Sequence, residues 1–294
     1  MAVSDIHDDS ALCGTVLGRG LASTVRKCVE KSTGQVFAVK IVDVSTEKQS
    51  EHEARRLREE TISEVEILRT LSGHASIISI HDFYTTPSFL FAVFEMAPKG
   101  ELFDQLNSTV TVSEKKARRI MRQLFDGVAY MHSRDIVHRD LKLENILCID
   151  DERIVISDFG FATKLRKGET LRELCGTPGY LSPEILKCQM YEDAPGYSFE
   201  VDEWALGVIM YTLLAGYAPF YHRKGKYEFR KEQWSTITQE AKDLVSKHQV
   251  IFLKPQVSPT EVVTQVFAPL NTGRARKRSR DRLCLRVLHH SSIQ

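Results

Sequence analysis

The chain has 294 residues, 42% of them hydrophobic, enough for one large or two small domains around a substantial core. Lys+Arg 40 against Asp+Glu 39 leaves a formal charge of +1, so no global excess of either sign draws the chain to nucleic acid or to a membrane surface. The balance is uneven, because residues 273–286 hold seven basic side chains and one acid, which leaves the remainder near −5.

The six cysteines, Cys13, Cys28, Cys148, Cys175, Cys188 and Cys284, form no Cys-x-x-Cys pair and no zinc-ligand spacing with histidine. Reduced thiols follow. The N-terminus is acidic where a signal peptide is basic and then apolar, and no stretch reaches the roughly 18 apolar residues of a membrane span. A soluble, cytoplasmic protein is expected.

In chain order, residues 15–20, 24–29 and 35–42 are short, partly β-branched runs separated by turn residues, which predicts a small antiparallel meander. The charged segment 45–70 follows, with Ile62, Val65, Ile67, Leu68 and Leu71 at near-helical spacing, and 89–95 returns to a strand-like apolar run. From Ser113 the pattern becomes helical, with Ile120, Leu124, Val128 and Met131 on one face, and a second buried helix is predicted over 201–214. After about Lys247 the prolines Pro255, Pro259 and Pro269 and the basic tail predict a poorly ordered ending.

Gly18-Arg19-Gly20-Leu21-Ala22-Ser23-Thr24-Val25 lies between two predicted strands, where small residues let backbone N–H groups approach a phosphate chain; two glycines at a plain hairpin turn give the same pattern. Lys40, on the third strand, carries an ammonium suited to phosphates, and Glu64 on the charged helix can supply its carboxylate, although such a pair is more often surface charge. The stretch Val137-His138-Arg139-Asp140-Leu141-Lys142-Leu143-Glu144-Asn145 is more specific. It groups a carboxylate that can accept a hydroxyl proton, a cation for a phosphate and an amide oxygen for a metal. Asp158-Phe159-Gly160 adds a hard oxygen ligand of the kind Mg²⁺ prefers. Their order and close spacing argue against a polar loop and a β-turn met by chance.

This ordered set, closed by Ser182-Pro183-Glu184, resembles the catalytic domain of eukaryotic protein kinases, with Lys142 favouring the serine/threonine branch. The segments "LGRGLASTVRKCVEK", "ELFDQL", "FGFATKLRKGETLRELCGTP" and "VIMYTLLAGYAPFYHRK" are similar to the catalytic γ chains of phosphorylase kinases, and the resemblance covers about residues 12–247. It implies an α+β, two-lobed fold: an extension over 1–11, a β-rich small lobe with one helix over 12–96, a shortened, mainly helical large lobe over 97–247, and a divergent basic tail over 248–294.

The resemblance further implies that ATP binds between the lobes, adenine lying between Leu17, Val25 and Ala38 and meeting the backbone of Glu95 and Ala97, with Phe94 behind. Gly18, Gly20 and Ser23 would cover the phosphates, Lys40 would hold them with Glu64 as ion-pair partner, and Asn145 and Asp158 would bind Mg²⁺. Asp140 would orient the attacking hydroxyl, assisted by Lys142, while Leu68, His138 and Phe159 would stack as an apolar column. Glu101 and Glu144 would receive basic side chains upstream of the target residue; each is otherwise an ordinary exposed glutamate.

Glu173 stands where a switchable kinase carries a phosphorylated residue opposite Arg139, so a permanent carboxylate would order the activation segment and leave control to partner subunits. Thr177 would support the catalytic loop. Two departures stand out. Only six residues separate Phe220 from Tyr227, where the family has room for a further helix, and the Asp-Pro-x-x-Arg sequence whose arginine would pair with Glu184 does not follow Lys247.

By resemblance the substrate is glycogen phosphorylase, with calmodulin and regulatory chains as partners, although no calmodulin-binding extension is recognisable in this sequence. Two alternatives stand beside this reading: a weak or inactive truncated kinase acting as a nucleotide-binding interaction protein, and a calmodulin-dependent-type kinase with other substrates. The tail allows nuclear import, an anionic surface or calmodulin as a target, but its lack of an amphipathic pattern favours an unstructured ending that replaced the family's own.

Overall fold

The β-branched runs near the start of the chain pair into β1 (Val16–Arg19), β2 (Ser23–Val29) and β3 (Val36–Asp43), which join β4 (Ile80–Thr85) and β5 (Phe89–Glu95) in an antiparallel sheet ordered β1-β2-β3-β5-β4. The computed structural model describes residues 14–251 apart from 21, 48, 110, 167, 221–228 and 230. The register places Lys40 opposite Val25 and Ala92, and Ala38 opposite Phe94, so Lys40 sits mid-sheet beside the glycine turn.

Helix α1 (Glu51–Thr70) begins later than the charge pattern suggests. Asp43 Oδ1 accepts from both the backbone N–H and the hydroxyl of Ser45, a side-chain turn that competes with helix, and Ser50 with Glu53 then closes a capping box. The predicted apolar positions Val65, Ile67 and Leu68 are buried, and so is Glu64.

The second part is built on α2 (Leu102–Thr109), α3 (Glu114–His132), α4 (Pro183–Met190), α5 (Glu200–Ala215), α6 (Lys231–Trp234) and α7 (Gln239–Ile251), with two small ribbons, β6 (Ile136–Val137) with β9 (Thr163–Lys164) and β7 (Ile146–Cys148) with β8 (Ile154–Ile156). Ser113 caps α3, whose predicted face packs on α5. Beyond its acidic first turn, helix α5 is apolar on nearly every side, as suits a helix enclosed by others, and it ends at Gly216 in the left-handed region.

One backbone strap ties the two parts: Ile156 N–H donates to Ser76 O at 2.9 Å and Ile78 N–H to Ile156 O at 2.9 Å. Helix α7 carries regular structure on to Ile251, past the boundary at 247 read from the sequence. The N-terminal extension, the whole short stretch between Phe220 and Phe229, and the tail from 252 lie outside the described residues.

Candidate active site

Lys40 Nζ lies 2.9 and 2.8 Å from the two oxygens of Glu64, whose side chain is only 7% exposed. Burial alone would lower the Lys40 ammonium, but the Glu64 and Asp158 carboxylates outweigh it and raise its pKa. A cation at full charge therefore stands in the crevice between sheet and helices. Gly18 and Gly20 border the turn above it, and Ser23 returns its carbonyl to Gly20 N–H at 2.8 Å.

The loop after β6 brings a second cluster together. Asp140, 3% exposed, accepts from Lys142 Nζ at 2.7 Å, from the Thr177 hydroxyl at 2.7 Å and from Asn145 Nδ2 at 3.2 Å. Lys142 Nζ also donates to Thr177 Oγ1 at 2.8 Å, so the carboxylate is held from several sides. Asn145 spends its amide nitrogen on Asp140, which leaves the amide oxygen as the atom suited to a metal.

Arg139 and Asp158 have φ of 70° and 57°, uncommon for residues with a side chain and in keeping with strain held at a working site. Among the described residues, no cluster of three or more His, Cys, Asp or Glu side chains forms a ready metal cage. Asn145 and exposed Asp158 instead fit Mg²⁺ carried in with phosphates, since that ion is typically held by one or two protein oxygens and retains water and phosphate ligands.

Two anchors of this loop are not evident from sequence. Asp202, fully buried on α5, accepts from the backbone N–H of His138 and of Arg139, each at 2.8 Å, and lies 2.9 Å from His132 Nε2. Burial would raise its carboxyl, but the hydrogen bond and charge of His132, with His138 beside it, hold it below its ordinary value. Gly176 packs so closely that a Cβ would lie 2.6 Å from Arg139 O, and its φ of 101° excludes most side chains. His138 meets Phe159 edge-on at 4.8 Å, and Leu68 is buried in the same apolar core.

The predicted partner of Arg139 is in contact. Its Nη1 donates to Glu173 Oε2 at 2.9 Å and to the Tyr197 hydroxyl at 3.3 Å, its Nε to Phe161 O at 2.7 Å, and Tyr197 donates to Glu173 O at 2.6 Å. Tyr197 is a further residue that sequence reasoning missed.

Glu101 stands at the start of α2 and Glu144 in the turn after Lys142. Burial, then Asp104 and Glu144, push the Glu101 carboxyl up, and Glu144 Oε2 is buried with no hydrogen-bond partner among the described residues. Tyr180 beside Glu144 is pushed up to about 12, mainly by burial. Lys142 offsets part of this negative charge, and the two neighbouring carboxylates still suit a cation from outside. Glu184 has a comparable orphan oxygen, and burial raises its pKa.

Where the sequence reading puts adenine, Leu17 is exposed, Val25 and Ala38 are half-buried, and Phe94 packs against the main core. Glu95 ends β5, its N–H donating to Ser79 O at 3.0 Å, while Ala97 O accepts from Gly100 N–H at 3.2 Å.

The protein kinase domain family matches residues 13–268. The phosphorylase b kinase gamma catalytic chain, liver/testis isoform, of Bos taurus is 50% identical over 259 residues, covering 85% of this chain and 62% of that protein. The Homo sapiens chain of the same name is 51% identical over 242 residues, 79% of this chain and 60% of that one. Calcium/calmodulin-dependent protein kinase type II of Caenorhabditis elegans is 37% identical over 260 residues, 84% of this chain and 34% of its own length. The chain thus spans less than two thirds of the curated relatives it matches.

Proposed function

Because the chain belongs to the protein kinase family, we propose that it transfers the γ-phosphate of ATP to a serine or threonine of a protein substrate. The observation that carries this reading is Asp140, buried and held by Lys142, Thr177 and Asn145 in the crevice that also contains the Lys40–Glu64 pair.

In that reading Lys40, steadied by Glu64, grips the α- and β-phosphates. Asp140 orients the incoming hydroxyl and accepts its proton, while Lys142 offsets charge on the transferred group. Asn145 and Asp158 hold Mg²⁺, which neutralises phosphate charge when bound. Leu17, Val25 and Ala38 enclose adenine, and the backbone of Glu95 and Ala97 meets its edge. Glu101 and Glu144 receive basic side chains upstream of the target.

The name of the phosphorylase b kinase relatives supports glycogen phosphorylase as substrate, and that of the calmodulin-dependent relative supports calmodulin as a partner. Cytoplasmic action accords with Cys28, Cys148, Cys175 and Cys188 being free thiols. Glu173 acts as the standing anion for Arg139, so regulation falls to other subunits.

The test is transfer of labelled phosphate from Mg-ATP to a serine peptide with upstream basic residues, beside an Asp140→Asn control. Transfer that vanishes in the control is expected. The orphan oxygen of Glu184 favours a second reading, a nucleotide-binding interaction protein with weakened support in its helical part. A folded chain that binds ATP and transfers nothing would establish it.

A further inference from the structure

Glu95 is the last residue of β5, and beyond it Met96 and Ala97 belong to no helix or strand. Strand pairing with Phe37 fixes Glu95 on one side. On the other side its N–H donates to Ser79 O at 3.0 Å, and its side chain is held by a residue 58 positions away. Arg153 Nη1 donates to Glu95 Oε2 at 2.9 Å and Nη2 to Glu95 Oε1 at 3.1 Å, a two-pronged bond, while its Nε donates to Ala75 O at 3.0 Å. Glu95 Oε1 also accepts from Ser79 N–H at 2.8 Å, so the carboxylate has three donors.

Arg153 is itself well held. Asp150 Oδ1 accepts its backbone N–H at 2.7 Å, and its carbonyl accepts from Ile149 N–H at 3.0 Å, closing the turn between β7 and β8. That hairpin shares the backbone strap through Ile156 with residues 76–78. The arginine therefore connects three pieces at one point: the β7–β8 turn, the loop after α1 and the exit of β5. A planar fork defines direction as well as distance, which a point charge does not.

We propose that Arg153 is a positioning residue for the nucleotide base. By clamping the Glu95 side chain it sets the orientation of the backbone at 95–97, and with it the fit of the adenine edge, without touching the nucleotide. The inference rests on the reading of the crevice as an ATP site. Nucleotide recognition then depends on a side chain from the hairpin outside the crevice, and its loss affects base binding while leaving phosphate gripping and the Asp140 cluster in place.

The experiment measures dissociation constants of adenosine and of Mg-ATP by calorimetry for the full chain, Arg153→Met, Arg153→Lys, Glu95→Ala and the Glu95→Ala/Arg153→Met double variant. Thermal unfolding identifies the folded variants. Adenosine lacks phosphates, so it isolates the base end. Arg153→Met is expected to weaken adenosine and Mg-ATP by the same factor, about tenfold, with kcat at saturating ATP and KM for the peptide unchanged. Arg153→Lys, which cannot fork, should recover only part of the loss. The double variant should match Glu95→Ala alone, because the arginine acts through that carboxylate.

Unchanged adenosine affinity in a folded Arg153→Met or Arg153→Lys variant would overturn the proposal, as would losses that simply add in the double variant. Failure of the unsubstituted chain to bind either adenosine or Mg-ATP would instead overturn the kinase reading, and the proposal with it.

Discussion

Arg139 Nη1 donates to Glu173 Oε2 across 2.9 Å, joining the loop after β6 to the segment before α4 through a pair that is buried at one end and open at the other, with side chains 8% and 70% exposed. The guanidinium keeps Phe161 O and Tyr197 as further partners, so loss of Glu173 does not strand it. An exposed carboxylate contributes little through charge alone, about 0–1 kcal/mol. Glu173→Ala is therefore expected to lower kcat/KM for a peptide about fivefold, with ATP affinity unchanged. The bacterially made chain should be active before any activating kinase is added. Steady-state kinetics of both proteins check this, and an unchanged rate in Glu173→Ala would make the contact a solvated charge pair.

If Glu101 and Glu144 receive substrate cations as proposed, substrate choice should depend on pH. Burial and the neighbouring Asp104 and Glu144 raise the Glu101 pKa, so in the empty site this carboxyl takes up a proton more readily than an ordinary glutamate. As pH falls from neutrality through that raised value, the charge proposed to attract a substrate arginine is lost. Preference for a peptide with upstream arginine over its alanine counterpart should decline from a higher pH than an unperturbed carboxylate, near 4.3, would give. Glu101→Gln should remove the pH dependence and cost about tenfold in kcat/KM for the basic peptide only. The ratio of the two peptides' kcat/KM across pH is the measurement.

Much of the frame is readable from local pattern because the forces are local. Strand β5 has the predicted bounds since six of its seven residues are apolar, and α3 begins after the predicted Ser113 cap. Helix α1 starts at Glu51 because a side-chain turn at Asp43 and a capping box at Ser50 decide the boundary. Strand β4, Ile80-His81-Asp82-Phe83-Tyr84-Thr85, carries polar side chains that hide its pairing with β5.

The site divides in the same way. Lys40, Asp140, Asn145 and Asp158 stand out through motif order. Asp202 sits in an apolar helix and meets its partners across more than 60 residues, and Arg153 looks like one charge in a polar turn. Neither partner is visible without the fold.

Glu184 provides a test of stability. One carboxylate oxygen is buried without a partner among the described residues, and burial raises the pKa although Ser182 helps the charged form. A raised folded-state value means that the group favours folding below its unfolded pKa and that this contribution is lost as pH rises through the folded value. At neutral pH the ionised side chain is thus a liability. Glu184→Gln should stabilise the chain by about 1 kcal/mol, the small size reflecting partial solvent screening. Near pH 4 the gain should vanish. Thermal unfolding at the two pH values checks this, and a destabilised variant would mean that a cation from elsewhere in the chain pairs with Glu184.

Asp202 has the opposite sign. Its pKa lies below the ordinary value, so its contribution is present above the unfolded carboxyl pKa, near 3.9, and is lost as pH falls through the depressed folded value. Its oxygens serve two backbone N–H groups of the catalytic loop, with His132 as third neighbour. Removal leaves buried donors without acceptors, so Asp202→Ala should cost about 3–5 kcal/mol. Asp202→Asn should rescue little, because an amide nitrogen replaces one acceptor and faces an N–H donor. The residues displaced are His138 and Arg139, directly before Asp140, so on the proposed function kcat should fall in any fraction that stays folded while the Lys40–Glu64 pair stays in place. Denaturant unfolding at pH 7 and at about pH 2, with kcat and ATP affinity at pH 7, separates the effects: the stability gap should narrow only below the unfolded carboxyl pKa, and activity should fall more than nucleotide binding. Equal loss of nucleotide binding and turnover would mean that Asp202 supports the whole crevice rather than the catalytic loop.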